Sequence, residues 1–575
     1  MEDQDKLNLT SNQKDYALFL PAISGFYAAF IGYQRKRYPY VPPERIPQSF
    51  KNDVESINFL DPKNGVFYYK WGLYSAGHAN LDLNKQDDRE EMIRTRPRDG
   101  NSWVLGDSGG FQIGKGIWAG EWKDPNCQEV KDKMAECIRI GTETRIKKVK
   151  DKNTGKMVDK EYTVDLVKEY QGQLDATQQK REQVLNWLDT LADGGMILDI
   201  PTWIVKDKKG AAKKCQIETV QQAVDATKYN NEYFIKHRKG VNNGGARFLN
   251  VLQGSNHTDA EEWYEEMKVY CDPAVYPDKH FNGWAMGGQN MCDVHLILKR
   301  LVTLRHDNLL QEGKHDWMHF LGTSKLEYAV LLTTIQRAVR KYVNPKFQIT
   351  FDCASPFLAT ANGQVYHQIV TPNRGKWSYR MAFIADDKKY ATDTRQYGPA
   401  AVQDGLIDVF EESPVSVGVK MNDVCTYADG DVNRMNMPTK TSWDSFSYAI
   451  LMAHNCWMHI ESVQRANREF DSGNHPGMMW GNFIPRESKT GQVESIFFGD
   501  LVEQIFATPD KQEALDIIEY YSKYWMGIIG TRGNTGNNTI RPIENHSVLQ
   551  AEGTIKAEKR VKEKYKPILD LFEEV

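Results

Sequence analysis

Residues 248–254 read FLNVLQG, an apolar run that stops at the polar side chain Gln253. Similar short runs recur along the chain, with helix-like segments between most of them. The runs cover 102–106, 196–198, 248–252, 283–286, 318–321 and 348–351. Strands that alternate with helices predict a parallel sheet, and parallel strands read as continuous apolar runs because both of their faces are buried.

Two weaker strands are predicted at 16–21 and 66–71, which brings the number to eight. Eight such units close a (β/α)₈ TIM barrel, whose active site lies at the carboxyl ends of the strands. An open doubly wound sheet gives the same local signals, so the pattern alone leaves both architectures open. In a barrel, one rim would carry the polar and glycine residues Asp107, Asp199, Gln253, Gly287, Gly288 and Asp352.

The remaining length is predicted to lie in insertions and in a tail. A catalytic barrel is predicted over 1–385, with lysine-rich insertions at about 125–190 and 204–245. The region 386–575 is predicted to be mostly helical, with helices over 442–470, 493–524 and 553–574, and to complete the barrel and bind nucleic acid.

The composition excludes several classes of protein. Among 575 residues, 73 Lys+Arg oppose 77 Asp+Glu, and a net charge of −4 excludes a uniformly basic nucleic-acid coat protein but allows local basic patches. The eight cysteines are scattered without a C-x-x-C pair, so we expect neither a disulfide framework nor a zinc ribbon. The polar first residues and the lack of a run of roughly 18 apolar residues predict a cytoplasmic protein with no membrane partner.

The carboxylates of the predicted rim suggest a chemistry. A pair of carboxylates can displace a group at a sugar carbon, one as the nucleophile and the other handling the proton of the leaving group. Asp and Gln side chains can also read the edge of a purine, and glycines let a flat ring approach the backbone. Taken singly, each Asp after a strand is as readily explained as a helix cap or a turn residue.

Five of the strand ends and one weaker one resemble the motifs of the tRNA-guanine transglycosylase superfamily, in that family's order. Residues 107–112 match its D-S-G-G-F-Q signature and residues 351–356 match its F-D-C-x-x-P segment. The other similar segments are VLQG at 251–254, GWAMGG at 283–288, HFLGTSK at 319–325 and, more weakly, Leu198-Asp199. The resemblance covers roughly residues 100–360 and implies a TIM barrel that exchanges guanine for a 7-deazaguanine on the same sugar.

The resemblance also implies roles for single residues. Asp352 would be the nucleophile on C1′, and Asp107 would be the general acid/base. The residues implied to bind the base are Ser108, Asp199, Gln253, Gly287 and Gly288. The reaction is then a double displacement with retention, and the target guanine must leave the base stack to reach the pocket.

Two departures from the family point away from tRNA. The tRNA enzymes carry a structural zinc on a C-x-C-x-x-C cluster and a His, whereas this chain offers only Cys425 and His454, so we expect no cofactor. The segment after Asp352 also lacks the basic residues of the tRNA enzymes. The chain most resembles the phage form of the DNA-guanine transglycosylases, which insert 7-deazaguanines into DNA and protect it from restriction in the host cytoplasm.

Basic segments supply candidate contacts to DNA phosphates. The candidates are Arg35, Lys36, Arg37, Lys147, Lys148, Lys208 and Lys209. Lysine-rich loops are also common as plain solvated surface. Two alternatives remain at this stage, an enzyme of the same chemistry that acts on tRNA and a barrel without catalysis that binds nucleic acid.

Overall fold

Strands and helices alternate over most of the chain. The computed structural model describes residues 2–30, 46–50, 54–85, 91–150, 156–254, 257–291, 293–385, 387–425, 445–522 and 524. The strands are β1 Leu18–Pro21, β2 Trp71–Ser75, β3 Trp103–Asp107, β4 Thr142–Lys150, β5 Met157–Asp165, β6 Gly194–Met196, β7 Arg247–Leu252, β8 Gly283–Met286, β9 Trp317–Phe320, β10 Gln348–Cys353, β11 Gln364–Val370, β12 Ser378–Phe383, β13 Trp480–Phe483 and β14 Glu494–Phe497. The α-helices are Glu2–Leu7, Glu91–Arg94, Gly110–Gly114, Gln128–Ile140, Leu166–Leu191, Ala211–Cys215, Val220–His237, His257–Met267, Val294–His306, Leu326–Tyr342, Ser355–Ala361, Tyr397–Gln403, Met421–Val424, Ser445–Asp471, Phe498–Ala507 and Lys511–Tyr520.

Eight parallel strands form a TIM-type barrel, which confirms the predicted fold. Hydrogen bonds join them in the order β1, β10, β9, β8, β7, β6, β3 and β2. The two ends of this sheet meet where Ala22 and Leu73 form a parallel bridge and the Ile23 amide donates to the Leu73 carbonyl at 2.9 Å. Because the barrel closes, the carboxyl ends of all eight strands lie on one rim.

Two tryptophans fill the barrel interior. Trp103 on β3 and Trp317 on β9 belong to strands that are not neighbours, yet their ring centroids are 5.0 Å apart. A Cβ on Gly194 would lie 2.5 Å from the Trp317 ring, so β6 begins on a glycine that leaves room for the indoles. The strand predicted at 196–198 starts two residues too late, because β6 is Gly194–Met196.

The first two strands fit the predictions unequally. β1 lies inside the predicted segment 16–21, but the prediction for 66–71 is wrong, because the strand is Trp71–Ser75. Phe67 and Tyr69 are buried in the core just before the strand begins, which explains the apolar pattern there.

The barrel strands alternate between its interior and its helices. Trp317 and His319 on β9 share the interior face because side chains two residues apart point the same way. Thr350 and Asp352 do so on β10, and Thr350 is paired in register with His319. This alternation brings side chains of the two strands into a chain of hydrogen bonds below the rim.

The insertion after β3 contains a helix, a hairpin and a second helix. Helix Gln128–Ile140 leads into the antiparallel strands β4 and β5, and helix Leu166–Leu191 returns to β6. The segment 204–245 is helical, and its longest helix, Val220–His237, lies between β6 and β7 and packs Phe234 against Phe248 of β7.

Beyond residue 385, a 27-residue helix, Ser445–Asp471, packs against helices Leu326–Tyr342 and Ser355–Ala361. The predicted helix over 493–524 is wrong at its start, where β14 pairs with β13 before two helices follow. The predicted helix at 553–574 lies outside the described residues. In the part of the chain that the structure describes, no helix has the length and apolar content needed to cross a membrane.

Candidate active site

The polar residues predicted for the rim do lie at the carboxyl ends of the barrel strands. Asp107 is the last residue of β3, and Asp352 is the last but one of β10. Gln253 directly follows β7, Gly287 directly follows β8, and Asp199 lies three residues beyond β6. The closed barrel therefore places these side chains and Gly287 around one opening.

Asp352 is held by two hydrogen-bond donors on one oxygen. Its Oδ1 accepts from His319 Nε2 at 3.1 Å and from the Gly322 amide at 2.9 Å. The side chain is 11% exposed, and His319 is fully buried. Both donors fix the plane of the carboxylate relative to the rim, since hydrogen bonds to a charged acceptor are short and directional.

His319 is supported from below by two further side chains. Its Nδ1 lies 2.8 Å from Thr350 Oγ1, which also accepts from Trp317 Nε1 at 2.8 Å. An ionised Asp352 requires a proton on Nε2, so in the neutral ring Nδ1 accepts from the Thr350 hydroxyl. His319 belongs to a motif of the sequence for which no role of this residue was predicted. The two-residue alternation of β9 and β10 is the signal that would have paired it with Asp352.

Asp107 is held by a neighbour that the sequence analysis missed. Ser75 at the end of β2 donates from Oγ to Asp107 Oδ2 at 2.6 Å, and the two residues are paired in register. Burial raises the pKa of Asp107, the hydrogen bond from Ser75 opposes this, and the charge of Asp352 raises it further. Asp107 therefore holds a proton more readily than an exposed aspartate, and it lies close enough to Asp352 to feel its charge.

Asp199 and Gln253 form a buried pair across the rim from β10. Gln253 Nε2 donates to Asp199 Oδ2 at 2.8 Å, and both side chains are buried. Burial raises the pKa of Asp199 from 3.8 to about 7, although the bond from Gln253 lowers it, and the charge of Asp107 adds to the rise. The carboxyl of Asp199 is therefore close to half ionised at neutral pH.

Backbone without side chains surrounds this pair. A Cβ on Gly110 would lie 2.7 Å from Asp199 Oδ1, and one on Gly287 would lie 2.8 Å from Gln253 Nε2. Gly288 has a φ of +54° and begins a turn of 3₁₀ helix. Glycine at positions 110 and 287 therefore makes room for the Asp199 carboxylate and the Gln253 amide themselves.

Ser108 faces the protein rather than the opening. It is buried, and its Oγ donates to the Ile197 carbonyl at 2.8 Å, which ties the turn after β3 to the segment after β6. Its role in binding a base stays a prediction.

The predicted phosphate contacts lie in different places. Arg35, Lys36 and Arg37 lie outside the described residues. Lys147 and Lys148 lie on β4, and both are exposed. Lys208 and Lys209 are exposed in a turn just before helix Ala211–Cys215.

His454 and Cys425 do not fit a zinc site. His454 is buried, with Nδ1 2.7 Å from Ser413 Oγ and Nε2 2.8 Å from the Tyr366 carbonyl, so both of its nitrogens are occupied. Burial lowers the pKa of His454 to about 4. The Cys425 thiol donates to the Asp387 carbonyl. Among the described residues, no three or more His, Cys, Asp or Glu side chains are grouped to hold a metal ion.

No protein-family model matches the chain, and no curated protein matches it.

Proposed function

We propose that the protein is a DNA-guanine transglycosylase that exchanges guanine in DNA for a 7-deazaguanine through a covalent glycosyl-enzyme. The observation that carries the proposal is the placement of Asp352, Asp107 and the pair Asp199–Gln253 on one barrel rim. A retaining exchange at a sugar carbon needs a carboxylate nucleophile and a second carboxyl group that handles protons. A purine needs acceptors and donors along one edge, which the buried pair offers.

In the first displacement, a carboxylate oxygen of Asp352 attacks C1′ of the target nucleotide. The C1′–N9 bond breaks, its electron pair passes to guanine, and Asp107 gives up its proton to the departing base. The raised pKa of Asp107 suits it to hold that proton beforehand. The donors His319 Nε2 and Gly322 N hold Asp352 in its attacking position.

In the second displacement, Asp107 takes the N9 proton of the incoming 7-deazaguanine. N9 then attacks C1′ and displaces the Asp352 carboxylate. Asp107 ends with the proton it had at the start, so the exchange needs no cofactor to balance it. Two inversions at C1′ leave the configuration of the sugar unchanged.

The base would be read by the other half of the rim. Ionised Asp199 accepts from the N1–H and N2–H groups of guanine or its analogue. Gln253 and the backbone at Gly287 contact the carbonyl edge of the ring.

The choice of DNA as the polymer is supported by the segment after Asp352. Helix Ser355–Ala361 is apolar, most of it is buried, and it packs against helix Ser445–Asp471. A buried apolar helix offers no cations at the place where the tRNA enzymes of the resembled family have basic residues. In a phage, such a modification would protect the DNA from restriction.

A base-exchange assay tests the proposal. The full chain is incubated with labelled guanine and, in parallel, with a DNA duplex, single-stranded DNA and tRNA. We expect label to enter DNA and an Asp352→Asn variant to incorporate none. Label in tRNA alone would overturn the choice of polymer. No label in any of the three would overturn the proposed chemistry, provided that the chain is folded by circular dichroism.

A further inference from the structure

The strands β4 and β5 form an exposed two-stranded arm. They pair over nine residues each, from Thr142 opposite Asp165 to Lys150 opposite Met157. Nearly all of these residues are exposed. At the base of the arm, Arg145 donates to both carboxylate oxygens of Glu169 at 2.7 and 3.0 Å, which ties the arm to helix Leu166–Leu191.

The arm leaves the barrel on the side of the catalytic rim. Helix Leu166–Leu191 has 26 residues and is therefore about 39 Å long, far longer than a barrel strand. Helices of a (β/α)₈ barrel run opposite to the strands, so this helix begins at the end where the strands finish. Apart from Tyr170, its buried residues begin at Thr177, so its first turns and the arm extend past the barrel body.

One face of the arm concentrates positive charge. Residues directly opposite in an antiparallel pair share a face, which places Lys147 beside Lys160 and Arg145 beside Tyr162. The Lys147 ammonium lies 4.9 Å from the centre of the Tyr162 ring. Glu143 shares this face, but its carboxylate forms a salt bridge with Arg145 at 2.7 Å. We call Lys147, Lys160 and Tyr162 the lysine face.

The opposite face is nearly balanced in charge. Lys148 stands opposite Asp159, and Ile146 stands opposite Glu161. The neighbours Lys147 and Lys148, which the sequence analysis treated alike, therefore point to opposite sides and have different surroundings.

The lysine pair works against the stability of the arm. Like charges directly opposite each other destabilise a strand pair, and a lone two-stranded hairpin is marginally stable in water. An anion between Lys147 and Lys160 would remove this repulsion. Their Cβ atoms are about 5 Å apart, as in any directly opposed pair, so one phosphate can accept from both ammonium groups.

We propose that the lysine face binds the sugar-phosphate backbone of DNA next to the nucleotide that enters the barrel. This inference rests on the proposed function for its polymer, because the arm leaves the barrel on the side where a substrate strand would reach the rim. Tyr162 supplies a flat ring beside the cations, a combination common in nucleic-acid contacts.

A pair of double variants of the full chain tests the inference. Lys147→Gln/Lys160→Gln removes two charges from the lysine face, and Lys148→Gln/Lys150→Gln removes two from the opposite face. Binding of a fluorescein-labelled DNA duplex is followed by anisotropy over a range of salt concentrations. We expect the first variant to bind about tenfold more weakly at low salt and to reduce the salt slope by about 1 to 2. The second variant should lose much less.

The outcomes separate this inference from the proposed function. All binding is measured in an Asp352→Asn background, so it does not depend on base exchange. Equal losses of DNA affinity in both double variants, or no loss in either, would overturn the proposal that the lysine face binds DNA. The proposed base-exchange chemistry would not be affected. Exchange into tRNA alone would instead overturn the proposed polymer. Removal of the lysine repulsion should leave the melting temperature unchanged or slightly higher.

Discussion

The two sides of the barrel rim treat their carboxylates differently. On the side of β9 and β10, Asp352 accepts from two donors, one of which belongs to a buried chain of His319, Thr350 and Trp317. On the side of β6 and β7, Asp199 accepts from the amide of Gln253, and burial raises its pKa to about 7. The first arrangement holds a charge in place, and the second leaves a carboxyl ready to gain or lose a proton.

Asp107 lies between these two sides and is coupled to both. The charge of Asp352 raises its pKa, and its own charge raises that of Asp199. The rim therefore carries three aspartates in graded environments. If the proposed chemistry is right, removal of each should damage a different step.

The largest effect is expected at Asp352. Asp352→Asn keeps the shape and leaves an oxygen for His319 and Gly322 to donate to, but it removes the nucleophile. We expect base exchange to fall by about 10⁴-fold or more, and no protein–DNA adduct on a denaturing gel. An unchanged melting temperature serves as the control. Full turnover by this variant would show that another group attacks the sugar.

A second loss is expected when Asp107 becomes Asn, since no proton can then be given to the leaving base. Removal of a general acid costs about 10²–10⁴-fold in rate. Binding of free base should change little, because Asp199 and Gln253 remain.

Ser75→Ala removes the hydrogen bond that lowers the pKa of Asp107, so the rate should stay high to a more alkaline pH. If the pH–rate profile of Ser75→Ala is the same as that of the parent chain, Ser75 does not influence the proton of Asp107.

These three aspartates were within reach of the sequence because their signal is local. An apolar run followed by an acid marks the end of a buried strand, and parallel strands bring such ends together. The relation of His319 to Asp352 was not within reach, because it depends on the register between β9 and β10. Ser75 was missed for a related reason, since the strand that carries it was placed at 66–71 instead of Trp71–Ser75.

The errors in strand position have physical causes as well. β6 begins with two glycines, which have a low preference for strands, and the need for glycine there comes from the Trp317 ring across the barrel. The β4–β5 arm exposes both faces, so it lacks the apolar runs by which the barrel strands were recognised. The positions of these strands thus depend on contacts between residues distant in sequence, which local patterns do not reveal.

His319 tests whether the buried chain matters to the Asp352 side. His319→Phe removes the donor to Asp352, and His319→Gln keeps an amide that can donate. A hydrogen bond to a charged group contributes about 1.5–3 kcal/mol, so we expect His319→Phe to slow adduct formation by roughly 10–100-fold. His319→Gln should recover part of this loss.

The affinity for free base separates positioning from general damage at His319. Because Asp199 and Gln253 are untouched, base binding should be the same in both variants as in the parent chain. An equal loss in His319→Phe and His319→Gln, or a matching loss of base affinity, would contradict a positioning role.

The smallest expected effect is the pH dependence of base affinity, which depends on the ionisation of Asp199. Ionised Asp199 accepts from both N–H groups of the base, whereas its protonated form turns one oxygen into a donor; its pKa of about 7 means that the ionised form gains population as pH rises. Base affinity should therefore increase about tenfold from pH 6 to pH 8, a rise of the ionised fraction from roughly a tenth to nine tenths. Asp199→Asn should bind more weakly and lose the slope, whereas Asp107→Asn should keep a slope that is moved to lower pH, because the charge of Asp107 no longer raises the pKa of Asp199. Calorimetric titration with a 7-deazaguanine checks both, and a pH-independent affinity in the parent chain would mean that Asp199 does not receive the base.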